Sequence, residues 1–205
     1  MAETASLRFE EEGWAEGCRR IVGVDEAGYG PLAGPVVVAA VALRPGQCFE
    51  GATDSKLLTP KQREKLADGI RRDAWVWRIA AASSREIERL NARTATILAM
   101  KRVVARLPFE PDLLLVDGRR APGLREHVPI VRGDLRCHSI ACASILAKVT
   151  RDALMRRLGR RYPEYGWGHN MGYRTPDHLA ALREHGPTPH HRMTFRGVLQ
   201  MELEL

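Results

Sequence analysis

Residues 21 to 43, IVGVDEAGYGPLAGPVVVAAVAL, constrain the fold more than any other stretch of the chain. An apolar run, Ile21 to Val24, leads straight into two adjacent carboxylates, Asp25 and Glu26. Small residues and prolines follow, and a second apolar run, Val36 to Leu43, returns. This order reads as a β-hairpin, with acids at the end of one buried strand and a glycine-rich loop beside them. Neighbouring strand residues point to opposite faces, so one of the two acids at most can face a core. Acids at a strand end are most often solvated. Gly28 and Gly30 weigh against that reading, because glycine lets a ligand approach the backbone closely.

The length of 205 residues fits one domain, alone or with a small appendage, and is enough to bury a sizeable core. A net charge of +7 and a pI near 9.6 favour a polyanionic partner such as nucleic acid. Cys18, Cys48, Cys137 and Cys142 form no C-x-x-C pair, so a zinc site and a disulfide framework are both disfavoured, and buried free thiols are expected. The acidic start, MAETASLRFEEEGW, lacks the order of a signal peptide, and no apolar run reaches the ~20 residues that cross a bilayer. A cytoplasmic protein with no membrane partner is expected.

Along the chain, residues 1 to 18 read as a lead-in or short helix. Thr59-Pro60 opens a helix to Asp73, since Thr caps well and Pro is tolerated at the first helical position. AWVWRIAAA, 74 to 82, reads as a third strand. A single helix is expected from Ser84 to about Leu107. Leu113 to Val116 is wholly apolar, as a strand covered on both faces would be, and ends in Asp117-Gly118. Val128 to Val131 is another short strand, followed by Gly133-Asp134. A long Ala/Ser-rich, then basic, helix follows from His138, and the tail holds a Gly/Tyr/Trp loop, a helix from Pro176 and a last amphipathic segment. The order β-β-β-α-β-β-α with extra helices implies a mixed sheet in an α/β domain.

Three predicted strands thus end in acids: Asp25-Glu26, Asp117 and Asp134. Strand ends gather ligands in open α/β sheets. Four clustered carboxylates repel one another unless a cation neutralises them, and their hard oxygens suit Mg²⁺ or Mn²⁺. Two such ions could activate water on one side of a phosphodiester and stabilise the leaving oxygen on the other. Lys56, Lys148, Arg151 and the run Arg156, Arg157, Arg160, Arg161 could hold phosphates, although charge runs on helices are commonly solvated faces. Ser55 and Ser144 could donate to phosphate or merely pack. Tyr29, Trp167 and Tyr173 could stack on a sugar or base.

The motifs GVDEAGYGPLAGPVVVAA, TDSKLLT, LLVDG, GD, SIACASILAKVTRD and GYRT…HGPTPHHRMTF occur in order. With them the chain closely resembles ribonuclease HII, the bacterial type 2 ribonuclease H, over roughly residues 20 to 196. The resemblance implies a ribonuclease H-like fold: a mixed five-stranded sheet flanked by helices, with a C-terminal helical extension. Boundaries of 1-18 for the lead-in, 19-160 for the catalytic domain and 161-205 for the extension follow. It also implies hydrolysis of the RNA strand of RNA/DNA hybrids, and nicking 5′ of single ribonucleotides in DNA, with 3′-hydroxyl and 5′-phosphate products. The family's metal-binding acids fall on Asp25, Glu26, Asp117 and Asp134, and its substrate contacts on Gly28, Tyr29, Gly30, Ser55, Lys56, Ser144, Lys148 and Tyr173. Asp152 also matches, and is expected to be an ion-pair partner of the neighbouring Arg151.

Two departures stand out. The family's glycine-arginine-glycine motif reads Gly28-Tyr29-Gly30, which keeps the backbone permissive but loses a forked cation. Gly168-His169-Asn170-Met171 replaces a stretch usually carrying lysine and histidine. A monomer is expected, and the terminal QMELEL is no clear sliding-clamp peptide. The competing readings are a hybrid-binding protein with weak catalysis, and a nuclease of the same fold acting on other DNA structures.

Overall fold

The computed structural model describes residues 5 to 198; the terminal QMELEL, with most of the expected last amphipathic segment, lies outside the described residues. Five strands form one sheet: β1 Ile21–Ala27, β2 Val36–Ala42, β3 Val76–Ala82, β4 Leu113–Asp117 and β5 Val128–Ile130. Their order is β3-β2-β1-β4-β5. β1 is antiparallel to β2 and β2 to β3, whereas β1 and β4, and β4 and β5, are parallel. The mixed sheet expected from the sequence is therefore present.

Strand alternation sorts the core into two layers. Val22, Val24, Val36, Val38 and Ala40 point to one face, against α3 (Ser84–Leu90) and α4 (Ala92–Ala105). Ala39, Val41 and Leu43 point to the other, against α2 (Pro60–Asp73) and the long α6 (His138–Arg161), which follows the short α5 (Gly133–Arg136). The single helix expected from Ser84 to about Leu107 is two. Asn91 breaks it by adopting φ 65° while its side chain caps α4 through the Thr94 amide. Asparagine visits the left-handed region more readily than most residues and is a strong cap, so one residue ends one helix and starts the next.

The α6 helix approaches β1 very closely. A Cβ on Gly23 would lie 2.4 Å from the Ile140 nitrogen and the Ser139 carbonyl carbon, both backbone atoms. The lead-in is tied to the same spot. Within α1 (Arg8–Ala15), the buried Glu10 accepts from the Ser139 amide at 2.7 Å and from Cys137 Sγ at 3.2 Å. An anion at a helix N-terminus complements the unpaired amides and the dipole. Cys137 and Cys142 are buried free thiols as expected, but Cys48 is exposed.

Beyond α6, the extension carries α7 (Trp167–Asn170) and α8 (Pro176–His185), and packs its own small core from Trp167, Tyr165, Leu182 and Val198 onto Leu32, Ala33 and Met155. His191 and His178 are buried and form a chain. The Thr188 amide donates to His191 Nδ1, so His191 Nε2 carries the proton donated to His178 Nε2, and His178 Nδ1 donates to the Tyr173 carbonyl. No helix among the described residues is long and apolar enough to cross a membrane.

Two outcomes follow. Gly23→Ala should lower unfolding free energy by about 1–3 kcal/mol in a urea titration, because neither backbone can retreat. Burial, then His178, pushes the His191 pKa down to about 3, against an unfolded value near 6.5. The unfolded chain therefore binds the proton first. Stability from neutral His191 is complete above ~6.5 and is lost as pH falls toward 3. His191→Gln should lose less stability than wild type between neutral and acid pH, read as the difference in urea midpoints.

Candidate active site

The parallel strands β1, β4 and β5 run in the same direction, so their C-terminal ends open on one edge of the sheet. Val24 lies opposite Val116, and Asp117 opposite Ile130. Asp25, Glu26 and Asp117 are thereby brought together by register. Asp134 is not at a strand end as expected. β5 stops at Ile130, Arg132 turns the chain with φ 55°, and Asp134 lies in the first turn of α5. The turn aims the Gly133 amide at Asp117 Oδ1, 2.6 Å away, and still delivers Asp134 to the other acids.

The two acids of β1 face opposite ways, as alternation requires. Asp25 is 4% exposed and accepts from Ser144 on α6 and from the Glu26 amide. Glu26 opens toward α4 and lines a cleft with Asp117. Burial, then the charges of Glu26 and Asp117, raises the Asp25 pKa well above the carboxylate range. Burial and Asp117 push Glu26 up to about 7. Burial, Asp54 and Asp117 push Asp134 up to about 6. Burial also raises Asp117, against the amides of Gly133, Asp134 and Gly118. Partial burial opposes the charge of Lys56, but Asp54, Asp134 and Asp25 outweigh it and raise its pKa. The site is a concentration of negative charge that one ammonium only partly offsets. Among the described residues no group of three or more acid, His or Cys side chains is already arranged to hold a metal ion by itself.

Asp54 carries no signal of its own in the sequence, yet its side chain bonds to that of Asp134 and its Oδ1 accepts from the Lys56 amide at 2.9 Å. Its place in Asp54-Ser55-Lys56, two residues before a cation, is the one local hint. Ser55 and Ser144 are buried and bonded to each other at 3.1 Å.

The Gly28-Tyr29-Gly30 loop beside the acids is held from behind by two buried arginines. Arg192 donates to the carbonyls of Gly28 (2.6 Å), Tyr29 (2.8 Å) and Gly34 (2.9 Å). Arg151 donates to those of Pro35, Ala33 and Met171. Arg151 is therefore an interior strut, not the phosphate contact expected of it: it is 1% exposed and directs its donors to backbone. Asp152 pairs with Lys148 at 2.8 Å rather than with Arg151. Gly28 has φ 98°, and a Cβ there would sit 2.0 Å from Arg151 Nε, whereas one on Gly30 would meet nothing within 4 Å. Gly28 thus seals the loop onto its strut, and Gly30 faces open space. Tyr29 and Tyr173 are both exposed, with the Arg151 guanidinium 5.9 Å from the Tyr173 ring. In the basic run, Arg156 pairs with Glu64 and Arg161 lies over Tyr162.

The sequence profile of ribonuclease HII matches residues 22–198. The chain belongs to the ribonuclease HII family. Ribonuclease HII of Bordetella pertussis is 52% identical over 176 residues, covering 85% of this chain and 88% of that protein. The Cereibacter sphaeroides enzyme is 53% identical over 198 residues, covering 96% and 90%. Among solved structures, the ribonuclease H2 of Pyrococcus horikoshii superposes with a TM-score of 0.78 at 26% identity, over 90% of this chain and 98% of that one. Ribonuclease HII of Archaeoglobus fulgidus, solved in complex with PCNA, gives 0.71 at 26% identity, over 88% and 96%. Ribonuclease HII is a metal-dependent endoribonuclease that hydrolyses the RNA strand of RNA/DNA hybrids.

In this chain, Arg192→Lys keeps the charge but loses the fork that spans three carbonyls. It should cost about 2 kcal/mol in chemical denaturation, because buried carbonyls are left short of donors.

Proposed function

We propose that Asp25, Glu26, Asp117 and Asp134 hold the divalent cations, Mg²⁺ or Mn²⁺, with which this enzyme cuts RNA/DNA hybrids. We infer that it also nicks DNA on the 5′ side of a single embedded ribonucleotide, leaving 3′-hydroxyl and 5′-phosphate ends. One observation carries the reading: four carboxylates meet at one sheet edge where burial and mutual repulsion disfavour their charge. A dication relieves such a cluster, and an all-oxygen donor set suits a hard ion. Mg²⁺ is commonly held by one or two carboxylates plus substrate phosphate and water, so its binding here does not require a preformed protein cage. When bound, two such ions supply an activated water and neutralise the leaving oxygen.

The chain's own groups supply the positioning. Ser144 and the Glu26 amide fix the Asp25 carboxylate. The Gly133 amide fixes Asp117. Lys56, near Asp134 and Asp25, balances charge and can meet a phosphate. The Arg192 clamp holds the backbone of Gly28 and Tyr29 whatever side chain stands at 29, which supports recognition of a ribose 2′-hydroxyl through the backbone. The open face at Gly30 leaves room for that approach. Tyr173, exposed near Lys56, packs on a sugar at the junction in this reading.

Asp117→Asn should abolish cleavage while hybrid binding stays equal or tightens, since it removes negative charge near phosphate. Its thermal stabilisation by Mg²⁺ should fall as well. Surviving activity would overturn the assignment of the acids. Tyr29→Arg should change cleavage at a lone ribonucleotide more than cleavage of a continuous hybrid, and equal change in both would remove Tyr29 from junction reading.

A further inference from the structure

A cleft of about 300 Å³ opens on the Glu26 side of the acid cluster, between α4 and the loop that follows β4. Its floor is Ile97 and Met100, and Tyr29, Arg93, Arg119 and Arg120 line its rim together with Glu26 and Asp117. Larger hollows exist elsewhere, such as one of about 430 Å³ between Lys101 and Arg125, but none of the four acids lines it. The three arginines come from two separate parts of the chain, and all are exposed.

Among the described residues, none of these three side chains has a hydrogen-bond or ion-pair partner. Their neighbours behave differently. Arg102, further along the same helix, is committed to Glu86 at 2.5 Å and to the Ala81 carbonyl. Arg106 donates to the Ile79 carbonyl and Arg125 to that of Pro111. Three guanidiniums therefore stand free in the cleft that holds two of the buried site's carboxylates. A guanidinium fork matches phosphate geometry, and an exposed aromatic ring offers a stacking face.

We propose that this cleft is a backbone subsite for the strand being cut. Arg93, Arg119 and Arg120 hold a phosphate neighbouring the scissile one, and Tyr29 packs on the adjoining sugar or base. The proposal rests on the reading of Glu26 and Asp117 as the groups flanking the scissile phosphodiester. On that reading, a phosphate one nucleotide away on the same strand would meet the arginines that line the same cleft as Glu26 and Asp117. The cleft would also return positive charge to a loop that carries Tyr29 at its centre.

The test uses full-length enzyme, a continuous RNA/DNA hybrid and Mg²⁺. Arg93→Gln, Arg119→Gln and Arg120→Gln, singly and together, should raise KM several-fold for the triple variant. The slope of log affinity against log salt should fall by about 1 for each phosphate that is no longer neutralised. Thermal stabilisation by Mg²⁺ should match wild type, which separates this cleft from the metal site. A neutral methylphosphonate beside the scissile position of the cut strand should weaken wild type but not the triple variant. Unchanged KM and salt slope in the triple variant would overturn the proposal. So would a methylphosphonate effect that depends on the arginines only when placed in the complementary strand, because the cleft would then take the other backbone. Wild-type enzyme that cuts no hybrid would instead remove the reading on which the proposal rests.

Discussion

Four carboxylates are held at one end of a parallel strand set against their own repulsion, and much of the surrounding structure serves that placement. The cost is visible in the upward shifts of Asp25, Glu26, Asp117 and Asp134, each led by burial. The fold offsets part of it with directed donors: Ser144 toward Asp25, and the amides of Glu26 and Gly133 toward Asp25 and Asp117. Lys56 offsets a further part. A rigid arrangement of repelling groups needs a stiff support, and the contact between α6 and β1 provides one. That contact exists because residue 23 has no side chain, and it sets Ser144 behind Asp25.

The glycine-rich loop is supported in a different way. Leu32 and Ala33 anchor it in the extension's core, and its carbonyls would be left short of donors if it moved. Arg151 and Arg192 meet six carbonyls across residues 28 to 35 and Met171, and both are interior. Buried charge is costly unless its donors are used, and here they are directed to backbone. The extension that supplies Arg192 is in turn organised by neutral histidines, which run from Thr188 through His191 and His178 to the Tyr173 carbonyl. The C-terminal segment thus reaches the site twice, once by a cation and once by an aromatic residue, without placing an acid in it.

The hairpin, the apolar strand before Asp117, the capped helix at Pro60 and the four acids were legible in the sequence, because each is a local pattern of period, cap or motif. For Arg151 and Asp54, errors arose because the side chain's partner lay far away in the chain. Arg151 read as a phosphate contact because sequence gives charge but not burial. Lys148 and Asp152 found each other one helical turn apart, a pairing that the adjacency of Arg151 and Asp152 obscured. Asp54 carried no signal until folding set it beside Asp134, 80 positions later in the chain.

By itself, the sequence determined which strands are buried, where acids follow them, and which loop must be glycine-rich, since hydrophobic period and glycine freedom are local properties. Tertiary structure decided which arginines are struts and which stand free, and that Asp134 arrives from a helical turn. It also decided that Glu26 and Asp25 look out on different surroundings, one on a cleft edged with guanidiniums and one on α6. These are matters of burial and distance between segments remote in sequence, which no local pattern encodes.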